Sequence, residues 1–122
     1  MSLVMTEDID AAARRIVDAN RYMTLGTADA SGRPWVSPVW YAKESYGAFL
    51  WVSRPGTRHS LNLADRPEIS AVIFDSTVPI GTGVAVYMSG SAKELTDDEL
   101  EQGIAVFSEA SLADGASAWN LG

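Results

Sequence analysis

Between Tyr22 and Leu95 the chain is cut into short apolar runs by turn residues, and this punctuation narrows the possible folds more than any other feature. Residues 22–28 place Met23 and Leu25 at alternate positions, the period of a strand with one buried face. Asp29-Ala30-Ser31-Gly32 is a turn of the kind that joins antiparallel strands. Residues 35–42 read as a second strand. Its Pro38 has no N–H to give to a ladder, so this stretch is an edge or carries a bulge. Backbone groups left free there make either a harmless edge or a place where a flat polar ligand pairs with the main chain. Residues 43–47 form a second turn, 48–53 a third strand, and 69–75 a fourth, apolar enough to be central. Residues 76–83 are a loop, and 84–95 a long fifth strand with a bend or bulge expected at Gly90.

Helical spacing appears in three places. In residues 6–20, Ile9, Ala12, Ala13, Ile16 and Val17 make one stripe, with Thr6 as the expected cap and Asn20 as terminator. This helix is expected to lie over one end of the sheet. Residues 57–65 form a short helix stopped by Pro67, and Thr96-Asp97-Asp98-Glu99 is a capping box opening a helix with Leu100, Ile104 and Phe107 on its apolar face. Residues 108–122, rich in Ala, Ser and Gly, are left unassigned; Leu112, Trp119 and Leu121 are their only anchors. Five strands joined mostly by tight turns predict a mainly β single domain over residues 1–122, a closed or nearly closed antiparallel barrel at residues 22–95 flanked by a helix at 6–20 and a helix and tail at 96–122. An open sheet would leave apolar strands with exposed edges.

At 122 residues the chain is one domain. It has no cysteine, which excludes disulfides, thiolate chemistry and a thiolate zinc site. It has no apolar run of membrane-spanning length and no basic-then-apolar leader, and Met1-Ser2-Leu3 reads as partly vector-derived. A cytoplasmic protein with no membrane contact is expected. A net charge of −7 argues against nucleic acid, which needs a basic face.

Against that acidity, residues 45–64 contain no Asp or Glu at all. Within them, Trp51-Val-Ser-Arg-Pro-Gly-Thr-Arg-His runs from a strand through a turn into a helix that Thr57 can cap. Arg58 and His59 fall in the first helical turn, where cations oppose the helix dipole unless an anion joins them. Ser53, Arg54 and Thr57 add two hydroxyls and another guanidinium. The segment is a phosphate seat or a solvated turn whose arginines point outward, and the loop alone does not choose.

The order of these motifs resembles the pyridoxamine 5'-phosphate oxidase-like family, the flavin-binding split barrels. The resemblance covers about residues 23–95. It runs from Leu25-Gly-Thr and Gly32-Arg-Pro through Val36-Ser-Pro-Val-Trp40 and Trp51-Val-Ser. It is sharpest at Gly56-Thr-Arg-His, and Leu61-Asn-Leu and Arg66-Pro follow. It implies a homodimer with two flavin mononucleotides (FMN) at the subunit interface. It also implies that the backbone of Val36, Ser37, Pro38, Val39 and Trp40 lies along the isoalloxazine edge, with Pro38 freeing it from a ladder. Trp51, Val52 and Ser53 would run beside the ribityl chain and phosphate, and Thr57, Arg58 and His59 would hold the phosphate. His59 departs from the family's usual Arg-Lys pair or lone Lys. An anion would raise its pKa, so binding should weaken as pH rises through that value. Ser37 departs too: the true oxidase has arginine there, and its substrate-phosphate residues have no counterparts here, which argues against vitamin B6 oxidation.

Flavin chemistry belongs to the cofactor, so the absence of a catalytic constellation is consistent with a small FMN-dependent oxidoreductase acting on an unknown small molecule. A deazaflavin-dependent reductase would use the same Arg58 seat but wants basic residues along its longer tail. A non-enzymatic flavin or haem binder is a third reading, although His59 would have to leave the loop to ligate iron. A dimer that has lost its cofactor is a fourth, and Arg58 with its hydroxyl cluster speaks against it. Ser60 and Asp65 lack the strand–turn–helix setting of a hydrolase triad, and Asp97, Asp98, Glu99 and Glu101 read as a solvated helix face rather than a metal site. Trp35, Trp40 and Trp51 are core aromatics by habit of strands. One or two of them are expected to line the flavin pocket or the dimer interface.

Overall fold

The computed structural model describes residues 1–6 and 10–115. Seven antiparallel strands form one sheet: β1 (Ser2–Thr6), β2 (Tyr22–Ala28), β3 (Pro34–Trp40), β4 (Ala42–Ser45), β5 (Ala48–Trp51), β6 (Glu68–Phe74) and β7 (Ala85–Glu94), in the spatial order β3-β2-β6-β7-β1-β5-β4. Three helices accompany them: α1 (Ala11–Ala19), α2 (Arg58–Asp65) and α3 (Asp97–Ala113). The two edge strands, β3 and β4, are separated in sequence by Tyr41 alone. In a flat sheet they would lie about 29 Å apart at ~4.8 Å per strand. One residue cannot span that, so the sheet curls into a half-barrel and brings its edges together.

The curl divides the core in two. Val4, Met23, Leu25, Val39, Phe49, Trp51, Ile73 and Val86 fill the concave side, and α1 packs Ala13, Ile16 and Val17 onto them. The Tyr41 hydroxyl donates to the α1 carbonyl of Val17 at 2.7 Å, tying the helix to the strand crossing. On the convex side, Leu3, Ala42, Ala48, Leu50 and Leu95 pack beneath Phe107 of α3.

Several expectations are corrected. Residues 2–6, to which no element was assigned apart from Thr6 as a helix cap, form β1, which sits between β7 and β5. The first helix starts at Ala11 and is capped by Asp10, whose carboxylate accepts from the Ala13 N–H at 2.9 Å; Thr6 belongs to β1, and Glu7, Asp8 and Ile9 lie outside the described residues. The single strand expected at 35–42 breaks at Tyr41, and part of the expected turn at 43–47 is β4. Gly90 carries no bulge: β6 and β7 stay in register from Glu68↔Ser91 to Phe74↔Ala85, and the one shift lies between Lys43 and Ser45. The capping box is not closed. Thr96 makes no side-chain cap, and Glu99 reaches Lys93 on β7 at 2.7 Å instead. Of the unassigned tail, residues 108–113 continue α3, and Trp119 and Leu121 lie outside the described residues.

Candidate functional site

α2 is the helix whose N-terminus has been left without compensation. α1 has its Asp10 cap, and α3 opens on Asp97, Asp98 and Glu99. α2 has no acid in its first turn and no side-chain cap. Thr57 does occupy the N-cap position, contrary only in how its hydroxyl is spent: it donates to the Arg54 carbonyl at 3.0 Å and shares a hydrogen bond with Ser60 at 2.8 Å. The partial positive charge of that helix end therefore faces Arg58 with no internal anion to offset it.

His59 points the other way, into the structure, and is 8% exposed. Its Nε2 lies 2.6 Å from the Ser53 hydroxyl and its Nδ1 3.2 Å from the Ser37 hydroxyl, which also accepts the Trp35 indole N–H at 3.0 Å. A neutral ring protonated on Nε2 satisfies these contacts in one direction, Trp35 to Ser37 to His59 to Ser53, and leaves the Ser53 proton free to donate outward. Ser37 and His59, the two departures from the family pattern, are thus hydrogen-bonded to each other. One turn on, Asn62 donates to the buried Thr27 hydroxyl at 3.0 Å and fastens α2 to β2.

Burial pushes the His59 pKa below its ordinary value in the ligand-free protein. The unfolded chain takes up a proton near pH 6.5, and the folded ring refuses it until lower pH. Stability contributed by the neutral ring is complete above about pH 6.5 and declines as pH falls toward the depressed value. The thermal midpoint should therefore drop more between pH 7.5 and 5.5 for the native chain than for His59→Gln. Parallel drops would remove His59 from the account.

β3 supplies the other wall. The Asp29 N–H bonds the Arg33 carbonyl and the Tyr41 N–H bonds the Arg21 carbonyl, each at 3.0 Å, which sets the pairing phase of β3 with β2. At that phase Pro34, Val36, Pro38 and Trp40 turn their backbone groups to the free edge. The prolines therefore cost no bond to β2. Pro38 does not release its strand from a ladder; with Pro34 it blocks a second ladder outside. Val36 and Trp40 keep N–H groups there, and all four keep carbonyls.

Trp35, Ser37, Ser53, Thr57, Arg58 and His59 thus come together. Val39 and Trp51 are core side chains, at 5% and 0% exposure. Val52 packs against the convex cluster, and Trp40 meets Phe107 edge-on at 4.8 Å. Trp35 is the aromatic that joins the site, since the Arg58 guanidinium lies 4.6 Å from its ring centroid. The sequence offered Trp35 only as one of three equivalent aromatics and did not point to Asn62 or Thr27; no spacing rule marks a contact between residues 35 and 58. Ser53 and Ser60 also line a cleft of about 330 Å³ beside α2. The larger cleft, about 630 Å³ between Trp40 and the end of α3, contains none of these polar groups. No helix among the described residues is long and apolar enough to cross a membrane.

Known structures share this architecture. HutZ, the haem storage protein of Vibrio cholerae, superposes with a TM-score of 0.70 at 24% identity, over 89% of this chain and 81% of that one. A haem-binding protein from Mycobacterium smegmatis gives 0.71 at 29% identity, over 89% of this chain and 46% of that one. A conserved hypothetical protein from Mycobacterium tuberculosis gives 0.73 at 19% identity, over 94% and 69%. None of the curated proteins matches the sequence. The sequence profile of pyridoxamine 5'-phosphate oxidase matches residues 9–118. On that match, which takes in β2 to β7 and all three helices, the chain belongs to the pyridoxamine 5'-phosphate oxidase-like family.

Proposed function

We propose that the protein is a cytoplasmic FMN-binding oxidoreductase acting on a small molecule, with the cofactor phosphate at the N-terminus of α2. The observation that carries this reading is Arg58, a cation with no acidic partner among the described residues, at an uncapped helix end. The donor set fits a phosphate: a guanidinium, the outward Ser53 hydroxyl and first-turn backbone N–H groups. The free β3 edge, with the N–H groups of Val36 and Trp40 and four carbonyls, fits a flat ring with polar edges. FMN would supply the electron transfer; the chain's residues bind it and orient it. Ser37, committed to Trp35 and His59, is not available to a substrate phosphate, in keeping with a substrate other than a B6 vitamer. A deazaflavin coenzyme would use the same seat.

The reading includes a homodimer. α3 covers the convex face over β4, β5 and Trp40 at the end of β3, while no helix among the described residues covers the rest of the convex face of β3, β2, β6 and β7. Val36 (65% exposed), Tyr87 (80%), Tyr22 and Phe74 stand on it, the first two lining a shallow cleft of about 420 Å³. Contiguous exposed apolar side chains of this kind favour association. Tyr87→Asp should convert a dimer to a monomer in sedimentation. A native chain that sediments as a monomer would remove this part of the reading.

The names of two similar structures favour haem as a second reading. Against it, His59 has both ring nitrogens engaged by serine hydroxyls. Visible absorption during titration with FMN, deazaflavin coenzyme and haem decides among them. A flavin spectrum perturbed on binding supports the proposal; a Soret shift with haem and no response to either flavin overturns it.

A further inference from the structure

Arg58 and His59 are neighbours on α2, and each is held by β3 through a different residue. Arg58 lies against the Trp35 ring, His59 bonds Ser37, and Trp35 donates its indole N–H to that same Ser37 hydroxyl. The contacts close a circuit: Arg58, Trp35, Ser37, His59 and back along the chain to Arg58. Resting on the phosphate reading above, we propose that Trp35 is a positioning residue that holds the Arg58 guanidinium ready for the cofactor phosphate.

Three physical points support the assignment. An arginine in the first turn of a helix is repelled by the dipole and, left alone, would swing into solvent. An aromatic face attracts the guanidinium without consuming its N–H donors, so the whole fork stays available to a phosphate. Arg58 has no hydrogen bond or ion pair competing for those donors among the described residues. The ring itself is fixed, because its N–H is bound to a hydroxyl that also bonds a buried histidine. Trp35 is 43% exposed, far more than a core tryptophan, so its place on β3 is not explained by burial alone.

The test compares FMN with riboflavin, which has the same ring and ribityl chain but no phosphate. Trp35→Leu removes the ring face and should weaken FMN binding about three- to fivefold, the size of an exposed cation–π contact. Riboflavin affinity should stay unchanged, so the FMN-to-riboflavin ratio falls by the same factor. Trp35→Phe keeps a ring and loses the N–H, and should fall between. In an Arg58→Ala background Trp35→Leu should add nothing further. If both ligands weaken together, or the ratio does not move, Trp35 is not positioning Arg58. If the native chain itself fails to distinguish FMN from riboflavin, the phosphate seat is wrong and the proposal falls with it. Thermal unfolding of each variant separates these results from a folding defect.

Discussion

Replacing Arg58 with alanine weakens FMN binding by roughly 10- to 150-fold, about 1.5–3 kcal/mol, the usual worth of a hydrogen bond to a charged group. Riboflavin binding should not change, because on the proposed reading the lost donor faces the phosphate. Stability moves by no more than about 0.5 kcal/mol, since Arg58 is exposed and sits at the helix end that disfavours a cation. Arg58→Lys recovers part of the loss: it restores charge but not the planar fork. Equilibrium titration of both flavins, with a melting curve for each variant, reads all of this. An FMN dissociation constant that stays within a factor of two would remove the phosphate from α2. FMN ionises near pH 6 itself, so the pH dependence of the site is best taken as the difference between the native chain and His59→Gln. That difference should shrink as pH rises, because a bound anion raises the pKa of a ring that burial holds down.

The strands, turns and α2 were legible because alternation and turn residues are local signals. Met23 and Leu25 face the core as their spacing predicts, and Pro38 lies on an edge. β1 was not legible: five residues without a turn signal before them gain strand structure only from pairing on both sides with β5 and β7. β4 was missed because Tyr41, which ends one edge strand and begins the other, carries no breaker to announce the crossing. Within the site, the sequence could point to Arg58 and His59 as a basic pair on one turn. It could not show that they diverge, one stacking on Trp35 and the other buried between two serines. That division depends on contacts across more than 20 residues of chain, beyond any periodicity. The same limit left Trp35, Trp40 and Trp51 as equivalent candidates, and the structure separates them by burial.

Trp51 tests that separation with the larger effect on stability. It is fully buried on the concave side among Val4, Phe49 and Leu63, and its indole N–H meets no protein acceptor among the described residues. Trp51→Ala should cost about 3–5 kcal/mol, the range for an aromatic removed from a core. For a domain with about 5–15 kcal/mol in total, that is enough to unfold a large fraction at physiological temperature. Trp51→Phe should cost much less. It keeps a ring in the cluster, and the donor it deletes has no protein partner to lose. Urea unfolding gives both numbers. FMN titration of the folded Trp51→Phe variant gives the rest: a core residue leaves affinity unchanged once the protein is folded, and the family resemblance then concerns the backbone at this position, not the ring. A variant of native stability with weakened FMN binding would instead put the indole itself against the cofactor.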